Sequence, residues 1–310
     1  MNMDGAVIEM PSRNDPAYIH YVELYERLHL VPLTRWSEEY REYLSFERFR
    51  RCPDFLQQTR ICTDEQYKFT ADYIEKNGGS AMFDELKEDH DFGVYTVEHN
   101  GRLLSRDLLD SMLEIMFLSR ILDLPRDAEI RALDIGAGYG RFAHRFTTWF
   151  PRSRIACVDG VPESTYLCRC YLKHRRCTRA SVVSLDELCS LEALMPFTFA
   201  ASIHSWPECS LESIKIWLQL IANLKIPYLF LVTHTRLHGS FEPDGRAVDY
   251  FPAIADVGYS VIKEQPKFGR IGQGGLFPEV HYYLFSGSWS KTPDSMPGRD
   301  RIEFRAAADI

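Results

Sequence analysis

No run of about 18 apolar residues occurs anywhere in the chain, so no membrane-spanning helix is predicted and no membrane partner is expected. Basic residues are not in excess: Lys and Arg number 36 against 44 Asp and Glu, a formal net charge of −8. A protein that grips duplex DNA or bulk RNA neutralises phosphates with a basic face, so nucleic acid is not an expected partner. Cysteine is sparse, eight in 310 residues, which excludes a disulfide scaffold. There is neither an internal repeat nor a low-complexity tract. The opening "MNMDGAVIEMPSRND" has neither the basic region nor the apolar stretch of a secretory leader. The expectation is a protein of the reducing cytoplasm.

What is present is an ordinary globular composition, 45% hydrophobic and 26% charged, long enough for one large domain or two modest ones. Four cysteines, Cys157, Cys168, Cys170 and Cys177, lie close together. A zinc site is the sharper reading of them. They contain no C-x-x-C pair, and Cys168 and Cys170 point to different sides of a helix, so reduced, packed thiols are the favoured reading.

Residues 17 to about 125 read as mostly helical. "YIHYVELYERLHLV" and "TDEQYKFTADYIEKNG" place apolar residues three and four apart, and the second ends at a glycine cap. "RWSEEYREYLSFERFRRC" reads as an amphipathic helix with a solvated side. "SRDLLDSMLEIMFLSRILDL" reads as a strong helix capped by Ser105. After residue 128 short apolar runs alternate with helical stretches: "IRALDI", "RIACVDG", "ASVVSL", "FTFAASIHS" and "YLFLVTH". Such alternation implies a mainly parallel sheet covered on both faces. "GYSVIKEQP" and "VHYYLFSGS" have no helix-length segment between them and predict an antiparallel pair closing the edge. The organisation expected is a helical N-terminal cap over residues 1–104, a cofactor-binding domain over 105–288, and a flexible polar tail over 289–310.

The first strand runs into "DIGAGYGRFAHRF". Glycine lets the chain turn sharply and lets a ligand approach the main chain, and the turn falls at the carboxyl end of a strand, where open α/β sheets bind ligands. The helix that follows favours negative groups at its N-terminus. A dinucleotide fingerprint, G-x-G-x-x-G, would need glycine at position 141, where arginine stands. The spacing Asp134-x-Gly136-x-Gly138-x-Gly140 instead resembles motif I of class I S-adenosylmethionine (SAM) methyltransferases. Asp159, 19 residues after Gly140, ends the next strand and suits the ribose hydroxyls of SAM or NAD(P). The reading favours SAM, with NAD(P) the alternative.

Three downstream segments, "CVDGVPESTYLCRCYL", "IHSWPECSLESIKIWLQLI" and "EPDGRAVDYFPAIADVGYSVIKEQPKF" continuing to "GLFPEVHYYLF", resemble in this order segments of the sugar O-methyltransferases. The resemblance covers about residues 128 to 287. Two departures from that pattern are Trp206, where phenylalanine is expected, and His234, where asparagine or another polar residue is expected. The resemblance implies an α/β fold: a Rossmann-like class I methyltransferase sheet of seven strands, the last pair antiparallel, with a helical N-terminal segment. It also implies SAM as cofactor and a small-molecule acceptor, a sugar or glycoside. It assigns Asp134 to the methionine amino group and Asp159 to the ribose. By position, Val161 packs on the adenine, and Ser184 or Asp186 meets its amino group.

Methyl transfer to a hydroxyl needs alignment and a base. Histidine suits the base because its usual pKa lies near working pH. His204, after the fourth strand of the sheet, is the first candidate, with Glu208 to orient it or to bind the acceptor and Trp206 to stack. His281 is the second candidate and His234 could reach the acceptor; His144 reads as structural. Glu208, Glu242, Asp244 and Asp249 are available to a divalent metal, but nothing in their spacing demands one. An N- or C-methyltransferase, an NAD(P)-dependent oxidoreductase and a non-catalytic SAM-sensing domain stand as alternatives. The acceptor's identity, the metal dependence and the oligomeric state stay open, a homo-oligomer among the options.

Overall fold

A computed structural model of the chain describes residues 10–51, 62–234, 236–269 and 274–290. Helix α1 (Pro16–Leu28) starts at Asp15, whose carboxylate accepts the Ala17 amide, with proline at the first helical position. The stretch predicted as one amphipathic helix over residues 35–52 instead forms the short α2 (Glu38–Glu42) and a single 3-10 turn at Phe49–Arg51. The Arg13 guanidinium accounts for the break: it donates to the carbonyls of Arg41, Glu42 and Leu44, which a continuing helix would have needed. Helix α3 (Asp64–Ile74) opens on a reciprocal Thr63–Gln66 capping box, and the chain beyond it turns at Gly78, φ +89°.

After α4 (Met82–Glu85) comes an element the helical reading missed, a hairpin of β1 (Val97–His99) and β2 (Arg102–Leu104). Its Asn100-Gly101 turn has both φ values positive, the arrangement that matches strand twist in a two-residue turn. Helix α5 (Arg106–Ile121) follows with Ser105 capping it as expected.

The seven predicted strands all form. In chain order they are β3 (Arg131–Ile135), β4 (Arg154–Val158), β5 (Ala180–Val182), β6 (Phe199–Ile203), β7 (Tyr228–Thr233), β8 (Tyr259–Pro266) and β9 (His281–Gly287). The order across the sheet is β5-β4-β3-β6-β7-β9-β8, with β9 antiparallel to both neighbours. Helices α6 (Arg141–Trp149), α7 (Pro162–His174), α8 (Leu211–Asn223) and α9 (Phe251–Asp256) complete the Rossmann-like α/β arrangement. Strands β3, β4, β6 and β7 are buried along almost their whole length, which explains their unbroken apolar runs. Edge strand β8 is exposed, carries Lys263 and Glu264 and has an irregularity after Val261, features that discourage edge pairing. Successive strands run outward from β3 through β4 to β5 and, on the other side, through β6 to β7. The crevice therefore opens above the carboxyl ends of β3 and β6.

Residues 185–194, predicted helical, form 3-10 turns. Of the expected tail, Trp289 is anchored, donating from Nε1 to the Ile226 carbonyl at 3.1 Å; residues 291–310 lie outside the described residues. No helix among the described residues is long and apolar enough to cross a membrane.

The first third is tied to the sheet by ions as well as by a shared core that runs from Tyr18 to Phe285. Asp107 on α5 accepts from Arg50 (3.0 and 3.2 Å), Arg145 (3.3 Å) and the Tyr139 hydroxyl (2.8 Å), all buried. Glu88 shares the same two arginines. The arginines outweigh the burial of Asp107 and hold its carboxyl well below the usual 3.8. It therefore stays ionised across neutral pH, and its contribution to stability is lost only as pH falls through that lowered value. Asp107→Ala would leave two buried guanidiniums short of charge. A loss of about 3–5 kcal/mol is expected in urea unfolding at neutral pH; an unchanged midpoint would refute a structural role for the cluster.

Candidate active site

Strand β3 ends in a turn in which Gly136, Gly138 and Gly140 all take positive φ, +70°, +56° and +83°. The reason for bare backbone differs from one glycine to the next. A Cβ on Gly136 would stand 2.3 Å from Ser205, and one on Gly140 would stand 2.8 Å from the Cys168 sulfur. These two glycines answer to packing against the β6 loop and α7. Gly138 faces the crevice, and its amide donates to Asp159 Oδ2 at 2.9 Å. Asp159 Oδ1 accepts from the Val161 amide at 2.9 Å. Burial pushes the Asp159 carboxyl up to about 7, against the pull of these amides. Asp134 is buried beneath the loop and does not line the cleft. Burial raises its carboxyl to about 7 as well, opposed by Arg141. Arg141 turns inward, donating to Glu114 at 2.7 and 3.0 Å and to Ser111.

The cleft measures about 870 Å³ with its open mouth. Gly136–Gly138 form one side, and Asp159 and Val161 a second. His204, Ser205 and Glu208 form a third, and Val31–Thr34 and Trp36 pass over it as a strap. Six of the predicted residues thus meet here: Gly136, Gly138, Asp159, Val161, His204 and Glu208. Ser184 and Asp186 do not join them. They line a separate surface depression beside Arg169 and Lys173, where the Ser184 hydroxyl donates to Asp186 at 2.6 Å and to Glu187 at 2.9 Å. His281 begins β9 opposite Thr233, its Nδ1 against the Glu279 carbonyl at 2.8 Å, away from the cleft lining. His144 is packed inside α6 against the Tyr171 hydroxyl. Trp206 is fully buried, edge-on to Tyr250.

His204 continues the β6–β7 ladder, its amide donating to the Val232 carbonyl at 3.0 Å, and then turns at φ +63°. That conformation is uncommon for a residue with a Cβ and costs on the order of 1 kcal/mol or more. Its ring lies 4.9 Å from that of His234, 17° from parallel, and its buried Nδ1 meets no partner among the described residues. Burial, then the neighbouring His234, Arg106, Arg141 and Lys267, holds the imidazole well below its usual 6.5. His234 is lowered to about 4, first by burial and then by Arg106 and Arg35. Glu208 serves the strap. It accepts from Trp36 Nε1 at 2.9 Å, lies 3.6 Å from Arg35, and is 3.9 Å from His234 Nε2.

The sequence reading missed the strap and the paired imidazoles. Among the described residues no group of three or more His, Cys, Asp or Glu side chains is arranged to hold a metal ion. Glu242 accepts from the Leu211 amide, Asp244 pairs with Arg246, and Asp249 accepts from the Phe251 amide, each in its own place. All the cysteines described are free, with Cys157 and Cys168 buried.

No family model matches the chain, and no curated protein sequence matches it. Among solved structures it is similar to the CurJ carbon methyltransferase at 15% identity and a TM-score of 0.41, over 57% of this chain and 54% of that one. It thus spans about half the length of that protein. Fibrillarin of Aeropyrum pernix, crystallised with SAM, aligns at 15% identity and TM-score 0.41, covering 63% of this chain and 82% of the other. The [4+2]-cyclase SpnF aligns at 13% and 0.42, covering 74% and 98%. At this distance none of the three speaks for the activity of this chain.

The Gly136–Ser205 contact generates a paired prediction. Gly136→Ala should lower the melting temperature by several degrees, through the clash and through about 1–2 kcal/mol of left-handed strain. Adding Ser205→Gly removes the clashing side chain and should restore part of the loss. A double variant no more stable than Gly136→Ala would disprove the packing explanation.

Proposed function

We propose that the chain is a SAM-dependent methyltransferase acting on a hydroxyl of a sugar or glycosylated small molecule. One observation carries the reading: the left-handed glycine loop, the Asp159 carboxylate and the His204 imidazole converge on a single cleft. Two further features favour SAM over NAD(P). Arg141 stands where a dinucleotide fold has its third glycine and is buried on Glu114. An antiparallel strand, β9, also separates β7 from the edge, whereas dinucleotide sheets keep a parallel 3-2-1-4-5-6 order.

The residues present fit such a cofactor. A carboxylate has about four lone-pair sites, so Asp159, with one amide on each oxygen, retains capacity for two ribose hydroxyls. Val161 offers an apolar wall and the glycine loop a close main-chain approach. SAM, when bound, supplies a methyl group on a positively charged sulfur. His204, which lines the cleft beside the glycine loop, takes the acceptor's proton, and the strap narrows the cleft above it. Residues 1–104 act as the cap that shapes the acceptor side, and residues 105–288 form the catalytic unit. The weak basicity of His204 favours one second reading, methylation of an amine, whose lone pair attacks without a base.

Titration should find SAM binding and no NAD(P) binding. Asp159→Asn should weaken SAM about 10–100-fold, the worth of hydrogen bonds to a charged group. NAD(P) binding in preference to SAM would overturn the reading.

With methyl-labelled SAM and a panel of deoxysugar nucleotides, mass spectrometry should find the label on oxygen. His204→Ala should slow transfer about 10²–10⁴-fold. Protonation would disable the base, so activity attributable to His204 falls as pH drops through its pKa. Because that pKa is held well below 6.5, His204 itself should contribute no acid limb near 6.5, and a limb near 7 from the raised Asp159 carboxyl should persist in His204→Ala. A limb there that vanishes in His204→Ala would contradict the buried, neutral imidazole. Label on nitrogen or carbon would reject the hydroxyl acceptor.

A further inference from the structure

The two imidazoles are neighbours because β6 and β7 are. Ile203 pairs with Val232, the His204 amide extends the ladder by one rung, and His234 leaves β7 directly alongside. The rings stack at 4.9 Å and 17°. Their surroundings differ. His204 is buried, with Nδ1 unpartnered, whereas the His234 side chain is 45% exposed and has Glu208 at 3.9 Å from Nε2. A left-handed residue with a Cβ persists only where the surrounding structure over-determines it. The flat face of His234 is the one aromatic surface recorded against the His204 ring among the described residues.

We propose that His234 is a positioning residue, its stacked ring holding the His204 imidazole in one fixed orientation at the cleft wall. Glu208, which the strap engages through Trp36 and Arg35, lies 3.9 Å from His234 Nε2, on the outer side of the stacked pair. The kinetic consequence rests on the methyl-transfer reading; the orientation does not.

The test uses the full chain with His234→Phe, which keeps a flat ring, His234→Ala, which removes it, and each combined with His204→Ala. In unliganded protein, NMR should find the His204 ring protons shifted by the stacked ring current in wild type. The shift should persist in His234→Phe and be lost in His234→Ala. In turnover, His234→Ala should lower kcat about 10–100-fold, the scale of a small misplacement, with the acceptor KM changed by less than about 3-fold. His234→Phe should retain most of the rate. On a His204→Ala background His234→Ala should cost nothing further, because residues that act as a unit are not additive. Independent, multiplying losses, or a His204 signal indifferent to His234→Ala, would overturn the proposal. An NMR result as expected in a protein that methylates nothing would leave the orientation standing and reject the methyl-transfer reading instead.

Discussion

The contact between Gly136 and Ser205 sets the geometry of everything around the cleft. With no Cβ on one side and a small hydroxyl side chain on the other, the end of β3 and the end of β6 approach more closely than two ordinary residues allow. Ser205 is then held by its own bonds to Ser202 and the Ile135 carbonyl. His204, its neighbour in the chain, is thereby placed against the glycine loop. The same loop is fastened from behind, where the Tyr139 hydroxyl reaches Asp107 and so joins the ionic cluster that anchors Arg50 from the first third. A turn that looks soft in sequence is clamped at both ends.

The electrostatics of the cleft follow from this packing. Burial raises the carboxyls of Asp134 and Asp159 and lowers the imidazoles of His204 and His234, so charge of either sign is disfavoured there. Folded carboxyls near 7 carry a cost that grows as pH rises from their unfolded values, about 4, through 7, because ionising them means charging a buried group. On the methyl-transfer reading a cationic sulfonium relieves that cost: it favours ionised Asp134 and Asp159 while keeping both imidazoles neutral. On that reading a bound sulfonium and a proton-free His204 would favour one another across the same cleft.

The sheet was legible because its central strands sit in a covered layer and therefore read as apolar runs, from "ALDI" at β3 to "HYYLF" at β9. Ser105 and Ser210 marked their helix starts for a local reason, a hydroxyl accepting an amide three residues on. Elsewhere a partner distant in sequence decided. The 35–52 helix fails because Arg13 takes its carbonyls, which no periodicity records. The β1–β2 hairpin did carry a local signal, Asn100-Gly101, but its three-residue strands are too short to show alternation. In the site, Asp159, Val161 and His204 follow from strand ends, which the sequence locates. Ser184 and Asp186 followed the same rule, yet Ser184 is taken up by a capping box with Glu187 and Asp186 accepts from the Ser184 hydroxyl. The strap was not legible, since what makes "VPLTRW" a roof is its contact with Gly160, Glu208 and Ser213.

Two carboxylates, one on each side of the cleft, decide how the first third sits. Glu163 on α7, just past Asp159, accepts from Tyr18 at 2.9 Å and from Arg41 at 3.0 and 3.1 Å. Glu208, just past His204, accepts from Trp36 and lies beside Arg35. Glu163 is almost fully buried, whereas Glu208 and its ion partner Arg35 are partly exposed. Hydrogen bonds to an ion are worth more when buried and bidentate than when half-open to water. The chain is thus held on both sides of the strap, at Tyr18 and Arg41 by a deeply buried carboxylate and at Trp36 by a part-exposed one, so the roof over the cleft is fixed by two charges set at different depths.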